Sequence, residues 1–170
     1  EFRLIATPAA SLEAAGRVAR EAGYQVRMLG NALEGEAGAM AREHAALAAD
    51  CAPGTVLLSG GEATVIVKGE GRGGPNAEYA LTLARALDGR ASVWAIACDT
   101  DGIDGTEDNA GALITPDTLM RATSLGEDAV QRLANNDAYG FFEVLDDLVM
   151  SGPTMTNVND FRAILVAADV

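Results

Sequence analysis

Four stretches carry the residue types with which a protein moves protons or holds anions. They are Ser59-Gly60-Gly61-Glu62, Gly69 to Gly74, Asp99 to Gly105, and Gly152 to Asp160. Asp99, Asp101, Asp104, Glu107 and Asp108 crowd behind an apolar run, and carboxylates at that density repel one another. Such a cluster invites a cation or a raised proton affinity, and its other use is turn formation and helix capping on a solvated rim. Asp101 is the best placed for function, as a general base or on a magnesium ion shared with a phosphate, and Asp108 reads as structural. A calcium EF-hand is excluded by register, since counting from Asp99 puts Asp104 where glycine belongs and Ala110 at the bidentate position. Gly69-Glu70-Gly71-Arg72-Gly73-Gly74 entering a helix can present backbone N–H groups to an anion, with Arg72 adding charge. The same glycines also suit a tight connection that only avoids steric conflict. The stretch is neither GxxxxGK[ST] nor a Rossmann GxGxxG turn, and Lys68 precedes the glycines, so it cannot act as a Walker lysine.

Other chemistries find less support. His44 is the only histidine and lies on an alanine-rich helical stripe, which points to packing rather than catalysis. Ser59 lacks the GxSxG frame of a nucleophile elbow. Cys51 and Cys98 make neither a disulfide scaffold nor a zinc spacing, and they read as small core residues.

The elements that must position these loops follow from periodicity. Phe2 to Ala6 reads as a strand, and Ser11 caps a helix that Gly23 stops. Tyr24 to Leu29 reads as a strand and about Glu36 to Asp50 as a helix whose inner stripe is Ala37, Met40, Ala41, His44, Leu47 and Ala48. Thr55 to Leu58 and Ala63 to Val67 form a hairpin candidate about the paired glycines. A helix opens at Pro75, runs to about Leu87 and closes at Asp88-Gly89. Ser92 to Ala97 is a buried strand. Helices follow at Thr115 to Thr123, Glu127 to Leu133 and Ala138 to Val149, and Ala163 to Ala167 is a closing strand. About six strands among helices predict a three-layer α/β/α fold with a mixed, mainly parallel sheet. Residues 1–170 are expected to form one domain, with 1–54 as a β-α-β-α lead-in and 55–170 carrying the motifs.

Composition narrows the partners. With 12 Lys plus Arg against 25 Asp plus Glu, the 170 residues carry a net charge of −13, which repels phosphate backbones and argues against nucleic acid. No apolar run is long enough to span a membrane, so no membrane partner is expected, and a cytoplasmic setting is the simplest. The start Glu1-Phe2-Arg3 suggests a piece of a longer protein.

Five segments occur together in order: Leu58 to Glu62, Gly71-Arg72-Gly73-Gly74-Pro75-Asn76-Ala77-Glu78, Asp99 to Gly105, Leu133 to Asp137, and Gly152 to Asp160. The set resembles the C-terminal MOFRL domain of the two-domain glycerate kinases, some of which carry the name hydroxypyruvate reductase. The resemblance implies an N-terminal Rossmann-like domain outside this chain, with the active site in the cleft between the two. It implies phosphorylation of D-glycerate by ATP with Mg²⁺, generally at the 2-hydroxyl. Glu62, Asp101 and Asn157 match the family's active-site polar residues. Arg72, Gly73, Gly74 and Asn76 would contact the nucleotide, and Asp101 and Asp104 the metal. The family places an arginine after GRGG where this chain has Pro75, and Ala77 stands in place of its glutamine. Losing a charged partner there would cost about 30- to 1,000-fold in rate. A homodimer is possible. An NAD(P)H-dependent reductase, with its dinucleotide site outside this chain, and a non-catalytic ligand-binding or assembly domain are the competing classes. Residues 1–170 alone are expected to be inactive as a kinase.

Overall fold

The computed structural model describes residues 5–87 and 92–168. Helix α1 (Pro8–Glu21) starts one residue after Thr7, whose hydroxyl accepts from the Ala10 N–H at 3.0 Å, and Pro8 supplies the fixed φ of the first turn. The cap is therefore Thr7 rather than Ser11. Strand β1 (Gln25–Glu36) runs past Leu29, through Gly30 and Asn31, with register shifts on either side of Gly30. Helix α2 (Ala37–Ala49) begins where Glu36 accepts from the Gly38 and Ala39 N–H groups, and it buries Ala37, Met40, Ala41, His44, Ala45 and Ala48. Strand β2 (Thr55–Thr64) leads to helix α3 (Pro75–Leu87), which is buried along most of its length and leaves Arg85 and Ala86 exposed. Strands β3 (Val93–Asp99) and β4 (Gly111–Ile114) follow, then helices α4 (Thr118–Ser124), α5 (Ala129–Ala134) and α6 (Ala138–Leu145), and strands β5 (Leu148–Val149) and β6 (Asp160–Val166).

The six strands form one mixed sheet in the order β1-β2-β6-β3-β4-β5. Alternation along β2 separates two cores. Val56 and Leu58 face α1, and Leu57 faces the larger cluster built from α2, α3 and α6. Helices therefore cover both sides, as expected. Parallel pairing, however, is confined to β1 with β2, and the other four pairs are antiparallel. The reason is β6, which returns from the last loop and inserts between β2 and β3, separating two strands that would otherwise lie side by side in parallel.

The expected hairpin about Ser59 to Glu62 does not form. β2 is a single strand through Gly60 and Gly61, and the glycines serve close backbone approach instead of a turn. Gly61 has φ +141°, and a Cβ there would overlap the Leu33 backbone of β1. Ile66 and Val67, placed in the second arm of that hairpin, are exposed. A hairpin forms instead between β3 and β4, whose connection is the acidic loop itself. Helix α6 stops at Leu145 because Asp146 turns left-handed at φ 58°, which frees Leu148 and Val149 to pair with β4. Of the expected first strand, Ile5 and Ala6 are not in a strand, and Phe2 to Leu4 lie outside the described residues, as do Asp88 and Gly89.

Candidate functional site

The C-terminal ends of β2 and β3 and the start of β6 meet at one end of the sheet. Gly61, Asp160 and Asp99 stand in one row across it, in register. Glu62 is the next residue of β2, Asp101 lies two residues beyond Asp99, and Asn157 lies three before Asp160. Topology thus brings all three candidates to the same sheet end.

Two of them touch. Asn157 Nδ2 donates to Asp101 Oδ2 at 3.4 Å, and Asn157 Oδ1 accepts from the Asn159 N–H at 2.9 Å. The other Asp101 oxygen accepts from the Ile103 N–H at 2.8 Å, while the Asp101 N–H is taken by Asp99 Oδ1. The two loops are stitched beneath these side chains. Thr100 Oγ1 donates to the Asn159 carbonyl and accepts from the Val158 N–H, Thr154 Oγ1 donates to the Thr100 carbonyl, and the Thr154 N–H donates to the Asp101 carbonyl. Glu62 is exposed and stands beside Glu34 of β1 in register, so its charge faces solvent next to a second carboxylate. An open groove of about 600 Å³, lined by Ile103, Glu107, Met150 and Pro153, flanks the loop that carries Asp101.

The remaining expected residues have protein partners. Asp104 is 1% exposed, and its oxygens accept from the Asn76 and Ala77 N–H groups at 2.9 and 2.8 Å. It caps α3 from a distant loop, where a negative charge meets the positive end of the helix. Burial pushes its carboxyl up to about 6, against the pull of these hydrogen bonds. Burial likewise raises the Asp99 carboxyl, with the charges of Asp101 and Asp160 adding to it and the Asp101 N–H opposing it. Asn76 is fully buried between Asp104 and Asp160. Gly74 is packed so closely that a Cβ would overlap Asp104, and Gly73 packs against the Tyr139 amide.

The glycine-rich stretch is likewise spoken for. Asn136 Oδ1 accepts from the Lys68 and Gly69 N–H groups, Asn135 Oδ1 from Glu70, and Asp137 Oδ1 from Arg72. Asn135-Asn136-Asp137 therefore takes up the backbone donors of Lys68, Gly69, Glu70, Gly71 and Arg72 and holds this part of the stretch in a tight connection. The Arg72 guanidinium donates to Glu143 at 2.9 Å, lies 3.7 Å from Glu107 and stacks 4.3 Å over the Tyr139 ring. It is turned toward Glu143 and Tyr139 of α6.

Two residues not singled out from the sequence hold this end of the sheet together, Asp160 and Arg162, which are 4% and 1% exposed. The signal was present in the alternation Asp160, Arg162, Ile164, Val166, all on one buried face. Charged residues in such positions must pair. Among the described residues, no three His, Cys, Asp or Glu side chains are grouped to hold a metal, and no helix is long and apolar enough to cross a membrane.

His44 is buried at 3% exposure, and its Nδ1 lies 2.8 Å from the Tyr79 hydroxyl, in agreement with a packing role. Burial, then the charge of Arg162, lowers it from 6.5 to about 4. The unfolded chain therefore takes up this proton first as the solution is acidified. The associated stability is present above pH 6.5 and lost as pH falls through about 4, an effect of about 2–3 kcal/mol. Urea unfolding at pH 7 and pH 4 should show a loss larger by that amount in the wild type than in His44→Gln. Equal losses in the two proteins would refute it.

Fold and rim define an α/β domain that gathers carboxylate and amide side chains at the end of a mixed sheet. The MOFRL family profile matches residues 55–160. The chain belongs to the MOFRL family. It is 35% identical to a "D-glycerate 2-kinase" of Thermotoga maritima over 94% of this chain and 40% of that protein. It is 50% identical to a "Putative hydroxypyruvate reductase" of Agrobacterium vitis over 98% of this chain and 40% of that protein. The crystal structure of a glycerate kinase from Thermotoga maritima superposes with a TM-score of 0.93 at 34% identity, covering 98% of this chain and 42% of that one. The chain thus spans about 40% of the length of the relatives it matches.

Proposed function

We propose that this chain is the C-terminal part of a glycerate kinase that transfers the γ-phosphate of ATP to D-glycerate, giving 2-phosphoglycerate. The rim of Glu62, Asp101 and Asn157 would receive the glycerate across a cleft from an N-terminal domain. The observation that carries this reading is the contact between Asp101 and Asn157 on loops stitched together at one sheet end. The glycerate kinases among the relatives support the substrate class.

Phosphoryl transfer asks a protein for alignment and charge neutralisation. Asp101 accepts the proton of the attacking hydroxyl, Asn157 fixes the Asp101 carboxylate and a substrate oxygen, and Glu62 orients the glycerate from β2. Asp104 and Asn76 hold the loop and α3 in place without touching the ligand. A triphosphate brought to this rim meets carboxylates, Lys68 is the sole lysine, and Arg72 is engaged by Glu143. The positive charge must come from the rest of the longer protein and from magnesium. Magnesium commonly takes one or two carboxylates beside phosphate oxygens, and Asp101 is the side chain here that fits this use. Bound with ATP, the ion would neutralise charge on the phosphates. Residues 1–170 alone lack these cations and should not phosphorylate glycerate.

The test is incubation of the full-length protein with ATP, Mg²⁺ and D-glycerate, followed by ³¹P NMR. The reading expects 2-phosphoglycerate from the full-length protein and none from residues 1–170. Hydroxypyruvate-dependent oxidation of NADH without phosphoglycerate would favour the reductase, which the name of the Agrobacterium vitis relative keeps in view. Glycerate binding without turnover would favour a non-catalytic domain.

A further inference from the structure

A buried ion pair lies directly beneath the proposed site, on a strand face otherwise made of Ile164 and Val166. Burying two charges is expensive, and apolar residues of similar volume often serve stability as well or better. The pair therefore calls for a reason beyond packing, and its connections supply one.

Asp160 occupies the middle of the row Gly61–Asp160–Asp99, between the strand that carries Glu62 and the strand that leads to Asp101. Its two oxygens serve different elements, β2 and α3. Oδ2 accepts from the Ala63 N–H at 2.9 Å, the peptide group that follows Glu62. Oδ1 accepts from Asn76 Nδ2 at 2.7 Å, and the same Asn76 nitrogen donates to Asp104 Oδ1 at 3.3 Å, in the loop of Asp101. Arg162 donates to Oδ2 from the same face of β6 and lies 5.2 Å over the Tyr79 ring. Its guanidinium balances the charge of the Asp160 carboxylate. Arg162 Nε and Nη1 find no hydrogen-bond partner among the described residues. Its hydrogen bond and ion pair are to Asp160, so it serves that carboxylate more than it serves the core.

We propose that Asp160, charge-balanced by Arg162, is a positioning residue for phosphoryl transfer that fixes the main chain beside Glu62 and, through Asn76 and Asp104, the loop of Asp101. This inference rests on the rim being the glycerate site. Asp160 touches no substrate and acts by holding the directions of side chains that do. A misplacement of about 1 Å at a reacting centre can cost about 100-fold in rate, so loss of the hub should be read in kcat.

The experiment is a double-mutant cycle of Glu62→Gln and Asp160→Asn in the full-length protein, read as kcat and KM for glycerate and ATP. Amide hydrogen exchange at Ala63 is measured alongside. Asp160→Asn is expected to lower kcat by about 30- to 100-fold with both KM values within about threefold, and to speed exchange at Ala63 by at least about tenfold. In the Glu62→Gln background the same change should lower kcat by several-fold less than in the wild type, because the part that acts through Glu62 is already lost and only the part that acts through the loop of Asp101 remains. A purely structural role would alter the folded fraction and leave the turnover of the folded enzyme intact. Where Asp160→Asn alone does not fold, Asp160→Asn combined with Arg162→Met removes both charges, and the same loss of kcat is expected of it. A folded variant at wild-type kcat, or a full additive loss in the Glu62→Gln background, overturns the inference. If wild-type protein makes no phosphoglycerate, or Glu62→Gln turns over at the wild-type rate, the reading of the site fails instead, and the cycle separates the two failures.

Discussion

Replacing Asp101 by asparagine in the full-length protein lowers kcat for glycerate phosphorylation by about 10²- to 10⁴-fold, the range expected for loss of a general base. The substitution is close to isosteric. An asparagine Oδ1 can still accept from the Ile103 N–H, so the turn that shapes the loop survives. The main-chain bonds of Thr100 and Asp101 to Asn159 and Thr154 do not involve the carboxylate at all. Asp101 lies partly exposed, and its loss should leave thermal unfolding within about 2 °C. Steady-state kinetics with a coupled ADP assay, beside a circular dichroism melt, checks both halves. A variant that keeps turnover within threefold of wild type removes Asp101 from the mechanism.

The largest effect on stability is expected at Gly61. Gly61→Ala should destabilise the fold by about 4 kcal/mol, because the new Cβ meets the Leu33 backbone and the φ of +141° belongs to a region open almost only to glycine. In a chain of this size that lowers Tm by roughly 8–16 °C. Gly23→Ala is the comparison. It also changes a positive-φ glycine, at φ +89°, but has no neighbour within 4 Å, so only the backbone strain of about 1–2 kcal/mol applies. Urea unfolding of the two variants separates strain from overlap. Equal losses would mean that β1 moves aside freely and that β2 is not pinned against it.

These two glycines show where the sequence was legible. Gly23 stops α1 as its position after an apolar stripe suggested, because a helix end is a local event. The stripe of α2 was equally readable, and the structure buries Ala37, Met40, Ala41, His44 and Ala48 as periodicity required. Gly60-Gly61 gives the same local signal for a turn and for a strand against which other backbone passes closely. Only the tertiary partners, Leu33 and Asp160, decide between them. The same holds for Gly69 to Gly74. Glycines that could have cradled an anion are threaded past Asn135, Asn136 and Asp137, residues more than sixty positions away.

The candidate site divides in a similar way. Asp101 and Asn157 emerged from motifs and lie together, and Glu62 shares their end of the sheet. Asp104 belongs to the same acidic run, yet it caps α3, a helix that begins 29 residues before it in the chain. Spacing along a chain cannot distinguish a carboxylate aimed at solvent from one aimed at a helix end. β4 escaped notice because four residues after an acidic loop are too few to establish a period of two.

The account stands most directly on where glycerate sits. A crystal structure of the full-length protein with D-glycerate and a non-hydrolysable ATP analogue should place the 2-hydroxyl within hydrogen-bonding reach of the Asp101 carboxylate, about 2.6–3.2 Å, with Asn157 on the same ligand. Glycerate bound elsewhere, with Asp101 and Asn157 joined only to each other, would contradict it.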